Sequence, residues 1–179
     1  LRTVTGVQTC ALPILSAFAE FDPNITVILV LPADQFTQWE KIEQEYNIPV
    51  KVIITAGGET RFQSVKNGLS LVPDEESLVA VHDAVRPLVA VKTISAAFNA
   101  AGRYGNAVPA IPLSDSIRQV IGGKSVAVDR SKYCLIQTPQ AFLTSLLKKG
   151  YEQEYRYTFT DDASVVESLV EEIRLVDGN

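Results

Sequence analysis

Apolar runs that alternate with helix-like segments constrain the fold of this chain more than any other feature of its sequence. The runs are 25–31, 50–55, 77–81 and 106–111. Strands that are apolar on both faces are typical of parallel sheets covered by helices. The segments between them, 33–46, 61–71 and 91–104, carry apolar residues three or four positions apart. This alternation predicts an α/β fold, with a mostly parallel sheet, right-handed crossovers and helices on both faces.

The pattern changes after Pro112. Two short alternating segments, 116–121 and 125–128, flank the pair Gly122-Gly123, and such a pair between strands indicates a hairpin. We expect this hairpin to form an arm, about 112–137, that projects from a single domain. Two helices, at 141–151 and 161–171, and a last strand at 173–176 complete the prediction.

Composition excludes several classes of function. A net charge of −5 argues against general binding to nucleic acid or to a membrane surface, since both need a basic face. A single histidine excludes a multi-histidine metal site and a histidine relay. Cys10 and Cys134 form no CxxC pair, which indicates reduced thiols. The apolar stretch 11–19 also fits a secretory signal peptide, but the enzyme-like remainder favours a cytoplasmic location.

Polar clusters follow the predicted strands, where ligands bind in an open parallel sheet. The first cluster is 56–61 with Ser64. Gly57 and Gly58 allow the backbone to approach a flat or anionic ligand, and the helix that follows offers free N–H groups. A plain strand-to-helix turn explains the same residues.

The second cluster, 81–87, places Asp83 after an apolar strand, where a carboxylate suits Mg²⁺. Arg86 suits a phosphate, although the two residues also fit a salt-bridged turn. His82 is better explained as a packed, hydrogen-bonded residue than as a catalytic base. The third cluster consists of Asp129-Arg130 and the segment 137–140. As a structural alternative, Asp129-Arg130 is a surface ion pair and the segment 137–140 is the start of a helix.

Six motifs occur in one order: GG-E-x-R-x-x-S, VHDAVRP, PLSDS, VDR, QTPQ-x-F and TDDAS. As an ordered set they resemble the 2-C-methyl-D-erythritol 4-phosphate cytidylyltransferase family over roughly residues 15–179. The resemblance implies a Rossmann-like nucleotidyltransferase fold and a homodimer interlocked by the arm. It also implies a reaction that joins CTP to the sugar phosphate and releases pyrophosphate with the help of Mg²⁺.

The same resemblance assigns roles to individual positions. The nucleotide-binding positions are Gly57, Gly58, Glu59, Ser64 and Ala84. The substrate-binding positions are Ser116, Arg130 and Thr138, with Arg130 reaching the substrate of the partner subunit. The catalytic positions are Asp83, Arg86 and Arg130, and Asp83 is also the metal ligand. A later polar pair, Thr160-Asp161, matches the family without a firm role.

The chain departs from the family pattern at both ends. The family begins with a Gly-rich loop that carries an arginine and a lysine, and it has a further lysine after the position of Asn179. Residues 1–14 contain no such loop and resemble translated vector sequence, so we expect a non-native segment followed by one domain at 15–179. With these cationic groups missing, this chain itself is expected to have little or no transferase activity.

Two other functions fit the sequence. The sugar pocket is weakly specified, so a cytidylyltransferase for another polyol phosphate, such as ribitol 5-phosphate, is the nearer alternative. The more distant one is a non-catalytic nucleotide-binding or dimerisation module. Binding of CTP without turnover would distinguish this module from an enzyme.

Overall fold

A computed structural model of the protein describes residues 6–74 and 76–179, with side chains from residue 11 onward. The expectations for residues 1–5 and for the Cys10 side chain therefore lie outside the described residues. The helices are α1 (Gly6–Phe21), α2 (Phe36–Glu45), α3 (Arg61–Leu69), α4 (Val91–Tyr104), α5 (Thr144–Tyr151) and α6 (Asp162–Glu167). Short 3-10 turns lie at Ala33–Gln35 and Arg130–Lys132. Among the described residues, no helix is long and apolar enough to cross a bilayer.

The strands form three hydrogen-bonded groups. They are β1 (Thr26–Leu31), β2 (Lys51–Ala56), β3 (Leu78–Val81), β4 (Asn106–Pro112), β5 (Arg118–Ile121), β6 (Lys124–Ala127), β7 (Cys134–Ile136), β8 (Gln140–Leu143) and β9 (Leu175–Asp177). β1 and β2 pair in parallel. The largest group has the order β3-β8-β4-β7, with β9 also paired to β4.

Alternating residues of the largest group cover its two faces. On one face, Ala107 of β4 and Ala141 of β8 pack with small residues of α4. On the other, the next residues along, Val108 and Phe142, pack with the apolar residues of α3, α5 and α6. Side chains alternate between the faces of a strand, so this division places helices on both sides of the sheet, as expected.

A separate apolar cluster lies beside β1 and β2. Trp39 of α2 is its largest fully buried side chain, and Leu15 of α1 is buried there too. Ile14 and Phe18 of α1 instead pack with Ile94 of α4. Helix α1 therefore joins two clusters. The expected boundary between residues 14 and 15 falls inside this helix, and the assignment of 1–14 as non-native stays a prediction.

Two strands were not expected from the sequence. The segment 141–151 was predicted to be helical throughout, but Gln140–Leu143 forms β8, which pairs antiparallel with β3 and with β4. β7 pairs antiparallel with β4. Both runs are short and apolar, and such runs carry no periodicity that distinguishes strand from helix. β3, β4 and β9 keep a common direction, and β8 lies between β3 and β4.

The predicted hairpin is present as β5 and β6, joined by Gly122 and Gly123 at φ of 55° and 77°. Both angles lie in the left-handed region that favours glycine. Residues of both hairpin strands are exposed along their whole length. Cys134, on the strand after the arm, is an exposed free thiol.

Candidate active site

The turn between β2 and α3 is held by its own side chains. Ser64 Oγ accepts a hydrogen bond from the Gly58 N–H (3.0 Å) and donates one to the Thr60 carbonyl (2.9 Å). Thr60 caps α3, because its Oγ1 accepts from the Gln63 N–H (3.0 Å). A Cβ at position 58 would lie 2.5 Å from Gln63 Cβ, so the turn requires glycine there. Gly58 and Glu59 are exposed, as a ligand-binding turn requires.

Asp83 lies just beyond the carboxyl end of β3, with its side chain 32% exposed. One carboxylate oxygen accepts from Arg61 Nη2 at 3.2 Å. The other oxygen lies 3.6 Å from Arg86 Nε. The Asp83 N–H donates to Thr138 Oγ1 at 3.3 Å. The structure thus brings together residues of three separate motifs: Arg61, Asp83 with its neighbour Arg86, and Thr138.

His82 is committed to holding this loop. Its Nε2 lies 3.0 Å from the Arg86 carbonyl, so that nitrogen must carry the proton and donate it. Its Nδ1 then accepts from the Thr138 hydroxyl at 3.0 Å. Burial lowers the pKa of His82, which favours the neutral ring that this arrangement needs. The expectation of a packed, hydrogen-bonded histidine agrees with this geometry.

An ion pair at the site, between Arg61 and Asp162, was not predicted from the sequence. Arg61 Nη2 donates to Asp162 Oδ2 at 2.7 Å, and Asp162 is completely buried. Burial alone would lower the pKa of Arg61, but hydrogen bonding to Asp162 and the charges of Asp162 and Asp83 outweigh it and raise that pKa. Arg61 and Asp162 lie within quoted motifs, but nothing in the sequence indicates that they touch.

The first two clusters share one cavity of about 630 Å³. Its polar end is formed by Arg61, Ser64, His82, Asp83 and Ala84. The remainder is mostly apolar and runs between β1, β3, α1 and α3. The cavity therefore has side chains of both charges at the carboxyl end of β3, where they can meet an anionic ligand.

The Asp129-Arg130 part of the third cluster lies apart from Thr138, at the base of the arm. Arg130 donates to the Ser114 carbonyl, and Asp129 accepts from the Ser131 hydroxyl at 2.7 Å and from its N–H. These hydrogen bonds lower the pKa of Asp129. Ser116 is exposed nearby. In the described part of a single chain, neither Ser116 nor Arg130 is among the residues that line the cavity at Asp83.

The two residues of the later polar pair, Thr160 and Asp161, have different surroundings. Asp161 caps α6, because its Oδ1 accepts from the Ser164 N–H at 2.9 Å. Its other oxygen accepts from Gln140 Nε2 at 2.8 Å, which ties α6 to β8. Thr160 is exposed. Asp161 is thus a structural residue that aims the neighbouring Asp162 at Arg61.

Comparison with known proteins decides the family. The family model described as "IspD: 2-C-methyl-D-erythritol 4-phosphate cytidylyltransferase" matches residues 5–179. The chain belongs to this family. It is 44% identical over 165 residues to the 2-C-methyl-D-erythritol 4-phosphate cytidylyltransferase of Phocaeicola vulgatus, covering 92% of this chain and 75% of that protein. The same-named protein of Porphyromonas gingivalis is 44% identical over 158 residues, covering 87% and 71%.

Solved structures of the family share the fold. The 2-C-methyl-D-erythritol 4-phosphate cytidylyltransferase from Thermus thermophilus aligns with a TM-score of 0.75 at 29% identity, over 95% of this chain and 79% of that one. A 4-diphosphocytidyl-2C-methyl-D-erythritol synthase aligns with a TM-score of 0.79 at 28% identity, over 95% and 80%. The Rossmann-like nucleotidyltransferase fold and the family resemblance expected from the ordered motifs are both confirmed.

Proposed function

We propose that this protein transfers a cytidylyl group from CTP to 2-C-methyl-D-erythritol 4-phosphate and releases pyrophosphate. The observation that carries the proposal is that Asp83, Arg61 and Ser64 line one cavity in a chain of this family, with Arg61 hydrogen-bonded to Asp83. The reaction needs two anionic substrates held in line. A phosphate oxygen of the sugar phosphate attacks the α-phosphorus of CTP, and the bond from that phosphorus to pyrophosphate breaks. No protein nucleophile is required.

The residues present suit this chemistry. The exposed Gly58-Glu59 backbone allows a nucleotide to approach the N-terminus of α3, where helix N–H groups suit an anionic ligand. Arg86 is 45% exposed and free to turn towards a phosphate. Its charge, with that of Arg61, offsets negative charge that develops on the transferring phosphate. We propose that the nucleotide also contacts Gly57 and Ala84. The sugar phosphate is proposed to contact Ser116 and Thr138.

We propose Asp83 as the protein ligand for Mg²⁺. Within the described residues, no three His, Cys, Asp or Glu side chains gather into a metal-binding group. This fits Mg²⁺, which is commonly held by one or two carboxylates together with substrate phosphates and waters. Asp83 is partly exposed, and its Oδ2 makes a long contact of 3.6 Å to Arg86 Nε. A bound ion would neutralise phosphate charge.

The test is a pyrophosphate-release assay with matched substrates. CTP is paired with 2-C-methyl-D-erythritol 4-phosphate or with ribitol 5-phosphate, and UTP and ATP replace CTP as controls. The assay is run on this chain and on a version extended with the family's Gly-rich first loop and C-terminal lysine segment. In the extended version we expect release only from CTP with the methylerythritol phosphate, and none when EDTA removes Mg²⁺. We expect far less release from this chain. Release with ribitol 5-phosphate alone would favour the other polyol. The low activity expected from the sequence stays a prediction, so calorimetry with CTP accompanies the assay. Tight binding without any release would favour a non-catalytic module.

We further propose that the arm forms a homodimer. Val120, Ile121 and Val126 of the hairpin are each more than half exposed, and Tyr133 and Leu135 beyond it are exposed as well. A two-stranded ribbon is marginal alone, and a row of exposed apolar residues marks an interaction surface. A second copy of the arm would cover these residues and bring Arg130 towards the partner's cavity. The cytoplasmic location stays a prediction.

Replacing Arg130 with Ala is expected to raise the KM for the sugar phosphate more than the KM for CTP, because a phosphate partner is lost. Mixing Arg130→Ala with Asp83→Asn should restore part of the activity, since hybrid dimers contain one intact site. Lys132→Ala, in the same turn, is the matched control and should leave both KM values unchanged. A monomer by light scattering at micromolar concentration, or no recovery on mixing, would contradict the arrangement.

A further inference from the structure

A completely buried carboxylate lies behind the candidate metal ligand. Asp162 has no exposed surface, and its two oxygens have different partners. Oδ1 accepts from the Tyr151 hydroxyl at 2.6 Å, and Oδ2 accepts from Arg61 Nη2 at 2.7 Å. Burial raises the pKa of Tyr151, helped by the charge of Asp162, so this phenol remains a neutral donor. The carboxylate is therefore fixed on both sides.

Arg61 connects this buried group to the surface. Its Nη2 contacts Asp162 at 2.7 Å and Asp83 at 3.2 Å, and its Nε contacts the same Asp83 oxygen at 3.4 Å. The guanidinium is planar and presents its donors in a fixed fork, so the shorter bond to Asp162 determines where the others point. The Arg61 side chain is 38% exposed, and without that anchor it would sample several rotamers.

The arrangement also controls charge. The carboxylates of Asp83 and Asp162 share the single guanidinium of Arg61. The three side chains together therefore carry a net negative charge, and Asp83 is the carboxylate that faces solvent. Without Asp162, Arg61 would pair with Asp83 alone and neutralise it. A neutralised carboxylate attracts a cation less strongly. Arg86 changes this little, because it is 3.6 Å from Asp83 and largely exposed.

A purely structural role explains the site less well. A buried ion pair adds little net stability, since the desolvation of both charges offsets their attraction. Asp162 accepts a hydrogen bond from Tyr151 and precedes Ala163, which both belong to an apolar cluster, so a neutral side chain would also suit this position. What a neutral side chain would not do is hold Arg61 across the gap to Asp83.

We propose that Asp162 is a positioning residue that, through Arg61, orients the Asp83 carboxylate and preserves its charge for a metal–nucleotide complex. The proposal rests on the proposed function for the identity of that complex. Residues behind a metal ligand typically change metal affinity or activity by about 10- to 100-fold when they are altered. An effect of that size is expected although Asp162 contacts neither substrate nor metal.

The test compares Asp162→Asn with Val165→Ala in the full chain. Val165 is buried on the same helix and has no part in the Arg61 contacts, so its truncation controls for lost stability. Asp162→Asn should weaken binding of Mn²⁺ in the presence of CTP, followed by electron paramagnetic resonance, by about tenfold. It should lower kcat by a similar factor with little change in the KM for the sugar phosphate. Val165→Ala should lower the melting temperature at least as much and change Mn²⁺ affinity less than about twofold.

Two further measurements separate the possible failures. In an Arg61→Lys background, Asp162→Asn should add little, because the lysine cannot bridge both carboxylates. A crystal structure of Asp162→Asn should show the Arg61–Asp83 contact broken or shifted, whatever the activity. An unchanged contact, or full additivity of the two substitutions, would overturn the proposal. An extended version that releases no pyrophosphate would overturn only the proposed function, since the crystal structure and Mn²⁺ binding do not depend on turnover.

Discussion

In a version of the protein extended with the family's Gly-rich first loop and C-terminal lysine segment, Asp83→Asn is expected to lower kcat/KM for cytidylyl transfer by about a hundredfold or more, because metal charge stabilisation contributes several kcal/mol to such reactions. Asparagine keeps the shape of the side chain and an oxygen for Arg61, but it removes the negative charge. The N–H of residue 83 would still donate to Thr138, so the loop should keep its conformation. The loss should appear mainly in kcat and should shift the Mg²⁺ dependence to higher concentration.

A matched substitution distinguishes this effect from a change in overall charge. Asp74 is another exposed aspartate, which pairs with Lys148 and is not among the residues that form the polar end of the cavity. Asp74→Asn removes the same charge and should change kcat/KM by less than about twofold, because exposed ion pairs contribute little. If Asp83→Asn turned over at nearly the parent rate, Asp83 would not be the metal ligand.

Where local signals were strong, the sequence predicted the elements well. Helix α4 was expected at 91–104 and is found there, because its small and apolar residues recur at helical spacing and Gly105 ends it at φ 88°. The hairpin was predicted from Gly122-Gly123, whose positive φ values only glycine adopts easily. In both cases a backbone requirement is met by a residue that is visible in the sequence.

Strand β8 shows what local signals do not contain. Its residues, Gln140–Leu143, are buried and directly precede α5, so they read as the start of that helix. They become a strand because β3 and β4 offer hydrogen-bonding partners on both sides. Tertiary pairing of this kind overrides local preference in short apolar segments.

The candidate site was also predicted only where local signals in the sequence were present. Asp83, Arg86 and Thr138 were predicted to lie at strand ends, where ligands bind. The antiparallel pairing of β3 with β8 places the end of β3 beside the start of β8, and so brings Asp83 next to Thr138. Asp162 was missed because it is 101 positions from Arg61 and sits in the first turn of a helix, where acids are usually exposed caps. Its burial depends on how α6 packs against α3 and α5, which no local pattern records.

Phe62→Ala is expected to lower the free energy of unfolding by about 3–5 kcal/mol, the usual cost of removing a buried aromatic ring. Phe62 is buried, and its ring stacks on Tyr151 at 4.5 Å and on Phe159 at 5.8 Å between centroids. These contacts join α3 to α5 and to the segment before α6. Because Phe62 follows Arg61 in the first turn of α3, the cavity left by alanine would also loosen the Asp162 contact. Equilibrium urea unfolding measures the loss.

The control for this substitution comes from the edge of the same aromatic cluster. The ring centroid of Tyr155 lies 5.6 Å from that of Phe62, but Tyr155 is 52% exposed. Tyr155→Ala should therefore cost less than about 1 kcal/mol, because little apolar surface is taken from water at that position. Phe62→Leu should fall between the two, since leucine refills most of the space without stacking. A cost for Phe62→Ala no larger than that for Tyr155→Ala would mean that α5 and α6 are held to α3 by other contacts, and Arg61 would then keep its place without the ring.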